Sequence, residues 1–248
     1  MDLSNKLTVV AGGNSGIGFE IVRGFSQHGS KVIFLGRNKK RNQKALSKLT
    51  KEIKSPIIEA FECDLSKEEQ LKSVLRHIVK KHGKINNFVN SVGLWKVKPI
   101  SRLTKKEIEE MHDNNFLPLV LGCKVLPSFM TKGSIVNLSS FASVMPMKEG
   151  SLYSSYKAAA ITFTKSAASE LSKKGIRVNS VTPGVIETPM TSKYIKKNKN
   201  RLLKPIPLNR IGTPKDVVGP VLFLCSNFAS YITGENIIIS GGKYIIQE

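Results

Sequence analysis

Hydrophobic positions along the chain follow two periods. Short apolar runs rich in β-branched and aromatic residues read as strands. They are LTVVA (7–11), KVIFLG (31–36), PIIEAFECDL (56–65), NNFVNSVG (86–93), GSIVNLSS (133–140), GIRVNSVTPG (175–184) and ENIIISGG (235–242). Between them the spacing becomes helical. Phe19, Val22 and Phe25 recur after the first run, and Leu71, Val74, Leu75, Ile78 and Val79 share one face of 68–83. Further helices are predicted over 39–54, over 104–130 with prolines that bend or break it, from about 152 to 174, and over 214–226. Residues 191–205 read as basic and irregular. Strand and helix alternate with short turns, which predicts an α/β protein with a parallel sheet covered by helices on both faces. With no repeat, linker or boundary in sight, residues 1–248 are expected to form a single domain.

A chain of 248 residues can bury a core without staples. Its three cysteines, Cys63, Cys123 and Cys225, are far apart and set in apolar contexts. They read as buried free thiols in a reducing cytosol, and no metal site is expected. MDLSNKLTVVAGG lacks the pattern of a signal peptide, and no apolar stretch approaches the roughly 18 residues a membrane span needs. The expected location is therefore cytoplasmic, away from the membrane. Lys and Arg number 39 against 18 Asp and Glu, a formal charge of +21. Nucleic acid, an acidic protein and a phosphate-bearing small molecule all fit such an excess, as does surface composition with no site behind it.

VVAGGNSGIG places Gly12, Gly16 and Gly18 between the first strand and the first helix. Glycines there let the backbone approach a pyrophosphate seated on the helix N-terminus. The spacing is G-x-x-x-G-x-G rather than the commoner G-x-G-x-x-G. Downstream, in order, come Asp64 in CDLS, NSVG (90–93), Asn115, Ser140, Tyr153 with Lys157, and PG (183–184). The tail then reads PLNRIGTPKDVV…YITGENIIISGG. From about Lys6 to its end the chain resembles the short-chain dehydrogenase/reductase family in its single-domain Rossmann form, a doubly wound parallel sheet. It departs from the family's usual Thr at Ala11, from Asn-Ala-Gly at Ser91-Val92-Gly93, and from Asp at Ser240. None of these removes a group the chemistry requires.

The resemblance implies a nicotinamide cofactor. It assigns the cofactor to Gly12, Asn14, Ser15, Gly16, Ile17 and Gly18 in the glycine turn, and to Asn90 and Gly93 after the fourth strand. Pro183, Gly184, Ile186 and Thr188 follow the sixth, and Tyr153 and Lys157 complete the set. Asp64, with Leu65, resembles the acidic position beside the adenine; the rival reading is a helix N-cap, which Ser66 suits better. NAD-binding members carry an Asp near the position of Gly36. Here LGRNKKR supplies Arg37, Lys39, Lys40 and Arg41 and no carboxylate. A guanidinium grips a phosphate bidentately, so NADP(H) is expected, with Arg37 as the main 2′-phosphate contact and Asn38 and Lys39 as weaker ones. The rival is a set of ordinary surface charges opening a helix.

LYSSYKAAA (152–160) holds two tyrosines and one lysine. Tyr153 and Lys157 are four apart and share a helical face, whereas Tyr156 and Lys157 point apart. The resemblance makes Tyr153 the proton donor to a carbonyl. A cation on the same face is expected to lower the phenol's pKa. By resemblance Lys157 also holds the nicotinamide ribose, Ser140 bonds the substrate oxygen, and Asn115 organises a water chain to Lys157. Ser139 and Asn114 are the off-by-one rivals, and Tyr156 is left for packing or a subunit contact.

The implied reaction is NADPH-dependent reduction of a carbonyl to a secondary alcohol. A mobile lid is expected at about 186–210. It carries Lys193, Lys196, Lys197, Lys199, Arg201 and Lys204, with no acid from Thr191 to Lys215. A basic lid favours an anionic substrate or carrier. Length and ending also resemble the 3-oxoacyl-acyl-carrier-protein reductases, with the substrate carried on acyl carrier protein or coenzyme A. Lys132 and Lys174 are candidate carrier contacts. The alternative is a general carbonyl reductase or secondary-alcohol dehydrogenase. The filled catalytic positions argue against nucleic acid as the partner. A homotetramer built through helices over about 101–131 and 152–174 is implied by resemblance alone.

Overall fold

The computed structural model describes residues 3–53 and 57–245. Lys54 and Pro56, at the ends of a predicted helix and strand, lie outside the described residues, as do 1–2 and 246–248 of the expected domain. The strands are β1 (Leu7–Ala11), β2 (Lys31–Gly36), β3 (Ile58–Glu62), β4 (Asn87–Asn90), β5 (Gly133–Leu138), β6 (Ile176–Pro183) and β7 (Asn236–Ile239). They form one sheet in the order β3-β2-β1-β4-β5-β6-β7, and every pairing is parallel. The helices are α1 (Gly16–Gln27), α2 (Lys39–Glu52), α3 (Glu68–His82), α4 (Lys105–Asn115), α5 (Leu117–Val125), α6 (Ser151–Ser172), α7 (Ser192–Leu203) and α8 (Pro214–Cys225).

Alternate strand residues feed two cores, as period 2 demands. Val9, Ile33, Leu35, Phe88 and Ile135 pack against α3, α5 and α6. Val10, Val32, Phe34, Val89 and Val136 pack against α1, α2 and α8. Both faces are covered, which is why the central strands read as unbroken apolar runs. The three cysteines are free and buried, and burial pushes each thiol up to about 12.

Two segments depart from the sequence reading. The helix predicted over 104–130 breaks at Phe116 (φ −120°, ψ −50°) into α4 and α5, with Pro118 in the first turn of α5 and a short 3-10 turn at Leu126–Ser128. The 191–205 stretch is not irregular: it forms α7, kinked at Asn198 (φ −127°, ψ 20°). Ile195 and Leu202, two turns apart, are its buried anchors. Among the described residues no helix is long and apolar enough to cross a membrane.

Candidate active site

From β1 the chain winds outward to β2, and it later returns to lay β4 on the other side of β1. Such a reversal opens a crevice beyond the carboxyl ends of the strands. A cleft of about 420 Å³ lies there.

The glycine turn forms its floor. Gly12 has φ +79°, its N–H donates to Leu35 O at 2.8 Å, and a Cβ would fall 2.9 Å from Ser91 O. A Cβ on Gly18 would lie 2.3 Å from Gly12 O, so Gly18 lets α1 close onto the turn. Ser15 stands at the N-cap of α1 without making a side-chain cap bond. The helix end and its turn are thus shaped for an anion. Asn14, Ser15, Gly16 and Ile17 line the cleft here.

At one end Arg37, Asn38 and Arg41 line the cleft, facing a wall that includes Asp64 and Leu65, while Lys39 and Lys40 stay outside it. Asn38 caps α2 by accepting from Arg41 N at 2.9 Å. The first turn of α2 has no acid, only exposed cations, at the end of a helix that attracts negative charge. Gly36 is sealed: Asn14 Nδ2 donates to Asn42 Oδ1 at 2.7 Å, and Asn42 Nδ2 donates to Gly36 O at 2.9 Å. A Cβ at Gly36 would lie 2.5 Å from both Asn14 Nδ2 and Asn42 Oδ1, so a carboxylate there would have to displace the Asn14–Asn42 bridge. The Asp64 carboxylate accepts from Ser66 N and Ser66 Oγ at 3.1 and 2.8 Å. Ser66 is therefore not the expected cap of α3; Lys67 holds that position with no side-chain cap bond.

At the other end Tyr153 and Lys157 line the cleft. Lys157 is buried, its Nζ lies 5.7 Å from the Tyr153 ring centroid, and it donates to Leu138 O at 3.2 Å. Burial pulls its pKa down to about 8. The Tyr153 phenol is held above its ordinary value by burial, opposed by a hydrogen bond with the Ser140 side chain. This reverses the direction expected from the sequence, because burial of the phenol outweighs the effects that favour its ionised form. Ser139 lines the cleft and donates to Lys157 O at 2.7 Å, fastening α6 to the end of β5, whereas Ser140 stands outside the lining with its side chain near enough to lower the pKa of the Tyr153 phenol. Asn115 clamps the loop after β4: Oδ1 accepts from Leu94 N at 3.1 Å, and Nδ2 donates to Leu94 O and Met111 O at 3.0 Å. A Cβ on Gly93 would come within 3.3 Å of both Asn115 Oδ1 and Lys157 Nζ. Asn114, rather than Asn115, is among the residues lining the cleft, and its Nδ2 donates to Glu110 O within α4. Tyr156 faces elsewhere, stacked on Phe116 with centroids 6.3 Å apart.

Several predicted residues stand behind the lining. Asn90 accepts from Val92 N at 3.2 Å and shapes the loop that carries Gly93. Gly184 N donates to Ile239 O at 2.8 Å, which ties the end of β6 to β7. Ile186 lines a separate small cavity of about 150 Å³ with Ile206 and Leu208, whereas Thr188 lines the main cleft. Cys63, Ser91, Val92 and Met190, which the sequence reading did not assign, also line the cleft. Lys132 and Lys174 do not lie beside it. They sit where β5 and β6 begin, with Lys132 Cβ 3.3 Å from a Cβ built on Gly175, at the amino ends of the strands, opposite the cleft.

Sheet, crevice and paired hydroxyls define a Rossmann-type oxidoreductase. The chain belongs to the short-chain dehydrogenase/reductase family. The family model that matches is described as enoyl-(acyl carrier protein) reductase and spans residues 11–243. Among curated relatives, the 3-oxoacyl-(acyl-carrier-protein) reductase of Chlamydia muridarum is 34% identical over 97% of this chain and 98% of its own length. The enzyme of that name from Thermotoga maritima is 34% identical over 99% and 100%. A solved short-chain dehydrogenase/reductase from Brucella melitensis superposes with TM-score 0.91 at 29% identity, covering 99% of this chain and 100% of that one. One from Mycobacterium ulcerans gives 0.94 at 26%, covering 98% and 91%.

Proposed function

We propose that this chain is an NADPH-dependent reductase of 3-oxoacyl thioesters carried on acyl carrier protein or coenzyme A. The observation that carries the reading is the pair Tyr153 and Lys157 in the crevice, with Lys157 Nζ 5.7 Å from the Tyr153 ring centroid. The full-length 3-oxoacyl reductase relatives support the substrate. Gly12, Ser15 and Gly16 fit a pyrophosphate, and Arg37 with Arg41 fits a 2′-phosphate. An anion there would relieve the unpaired positive charge at the start of α2. Bound in this crevice, NADPH supplies the hydride that reduces the carbonyl carbon.

The protein's own residues supply the rest. Tyr153 gives its phenolic proton to the carbonyl oxygen, completing the alcohol. Ser140 donates a hydrogen bond to the same oxygen as negative charge develops on it. Lys157, cationic below about pH 8, stabilises the phenolate left behind. Asn115 acts on the backbone, holding Leu94 and Gly93 against Lys157. The segment at about 186–210, including α7, is the lid, and its cations face an anionic carrier. The three buried thiols support a reducing, cytoplasmic setting. The same reading takes the chain as one domain that assembles into a homotetramer through α4, α5 and α6, which light scattering checks.

The test is turnover of acetoacetyl-CoA and crotonyl-CoA with NADPH and with NADH. Oxidation of NADPH by the first thioester alone is expected. Turnover of crotonyl-CoA alone would replace the reading with enoyl reduction, the activity named by the family model. A preference for NADH would overturn the assignment of Arg37.

A further inference from the structure

Beside the cleft, the loop that follows the lining residues Gly93 and Leu94 touches the helix that follows the lining residues Thr188, Pro189 and Met190 through an aromatic contact. Trp95, the sole tryptophan of the chain, lies edge-on to Tyr194 of α7, with ring centroids 5.2 Å apart and planes at 74°. We propose that Trp95 and Tyr194 are specificity-determining residues, forming a clasp that closes the catalytic end of the cleft and selects short 3-oxoacyl groups over long ones. This inference rests on the substrate class proposed above.

The two walls are held differently. Trp95 follows Gly93 and Leu94, which line the cleft, and Asn115 binds both the N–H and the C=O of Leu94. The same loop is fastened by ion pairs from Lys96 to Glu110 at 2.6 Å and from Lys98 to Glu107 at 2.7 Å, both onto α4. Lys98 N also donates to Glu149 O at 2.6 Å. Trp95 is therefore mounted on a fixed wall. Tyr194 stands on α7, which follows the cleft-lining Thr188, Pro189 and Met190 and buries only Ile195 and Leu202. Its ring is steered by Arg201 Nη2, which donates to Tyr194 Oη at 2.8 Å, and its carbonyl accepts from Asn198 Nδ2 at the kink. Tyr194 thus rides on the more movable wall. Val97, Val144 and Met145 are exposed, as is the cleft-lining Met190. A long acyl chain must part the rings to pass out of the cleft, whereas an acetoacetyl group ends short of them.

The experiment compares kcat/KM for acetoacetyl-CoA and 3-oxododecanoyl-CoA in the wild type, Trp95→Ala, Tyr194→Ala and Tyr194→Phe. Each alanine variant is expected to raise the long-to-short ratio at least about tenfold, the scale of one methylene-sized pocket discrimination or more. Tyr194→Phe, which keeps the ring and loses the Arg201 bond, should hold the wild-type ratio. NADPH affinity measured on every variant shows that it is folded. An unchanged ratio in folded Trp95→Ala and Tyr194→Ala overturns the clasp. So does a shift in Tyr194→Phe as large as in Tyr194→Ala. If the wild type reduces neither thioester, the substrate reading fails by itself. The clasp is then judged by the same ratio measured with butan-2-one and dodecan-2-one.

Discussion

At the scale of single residues, Lys157 carries the most information. Burial lowers its pKa to about 8 from an ordinary 10.5. Between those values the unfolded chain holds a proton that the folded chain has released. By linkage, this residue's contribution makes stability rise with pH from about 8 to about 10.5. Denaturant titrations of wild type and Lys157→Met across that window should show a difference curve that climbs with pH; a flat one contradicts the burial argument. For activity the sign is opposite. Losing the ammonium leaves the phenolate without a counter-charge, so kcat for carbonyl reduction should fall as pH rises through about 8. The sequence supplied the Tyr153–Lys157 pairing through helical spacing. It could not supply the direction of the Tyr153 shift, which is set by how deeply the fold buries the phenol.

At the scale of elements, the start of α2 and the turn before it act as one device. A side chain at Gly36 would displace the Asn14–Asn42 bridge, and the first turn of α2 that follows carries cations and no acid. Arg37→Ala should weaken NADPH binding about ten- to hundredfold, the worth of a charge-assisted bond, and leave NADH binding within a few-fold. Gly36→Asp should not convert the preference. Its Cβ would strike both asparagines, and about 1–3 kcal/mol of stability should be lost, read by thermal or denaturant melts. Strands were legible as short apolar runs covered on both faces, and most helices because their buried residues recur with period 3.6. α7 was not, because its two buried residues, Ile195 and Leu202, are scattered among lysines that dominate the pattern. Phe116 was equally hidden. A proline two residues on signals a break without saying where the backbone turns.

At the scale of the whole molecule, charge and topology together frame the site. The excess of +21 includes the exposed cations at the start of α2, at one end of the cleft, and those of α7, beside the other. Encounter with an acidic carrier should therefore be steered, and kcat/KM for a 3-oxoacyl group on acyl carrier protein should fall several-fold with added salt. With a neutral small ketone it should barely change. Replacing the α7 lysines with glutamine should flatten the first dependence; an unaltered salt slope would assign that charge to composition alone. Sequence order placed the motifs along the chain, but only the fold shows Lys132 and Lys174 at the amino ends of the strands, opposite the crevice. Their proximity arises from strand register between β5 and β6, which no local pattern encodes.

The central claim is that Tyr153 delivers the proton during carbonyl reduction. Its most direct test follows NADPH oxidation with acetoacetyl-CoA by wild type and Tyr153→Phe, with NADPH affinity measured on both. The account predicts turnover by the wild type and a loss of about 10²–10⁴-fold in the variant, the usual worth of a positioned acid, while NADPH still binds. A variant that binds NADPH and keeps wild-type turnover would contradict it.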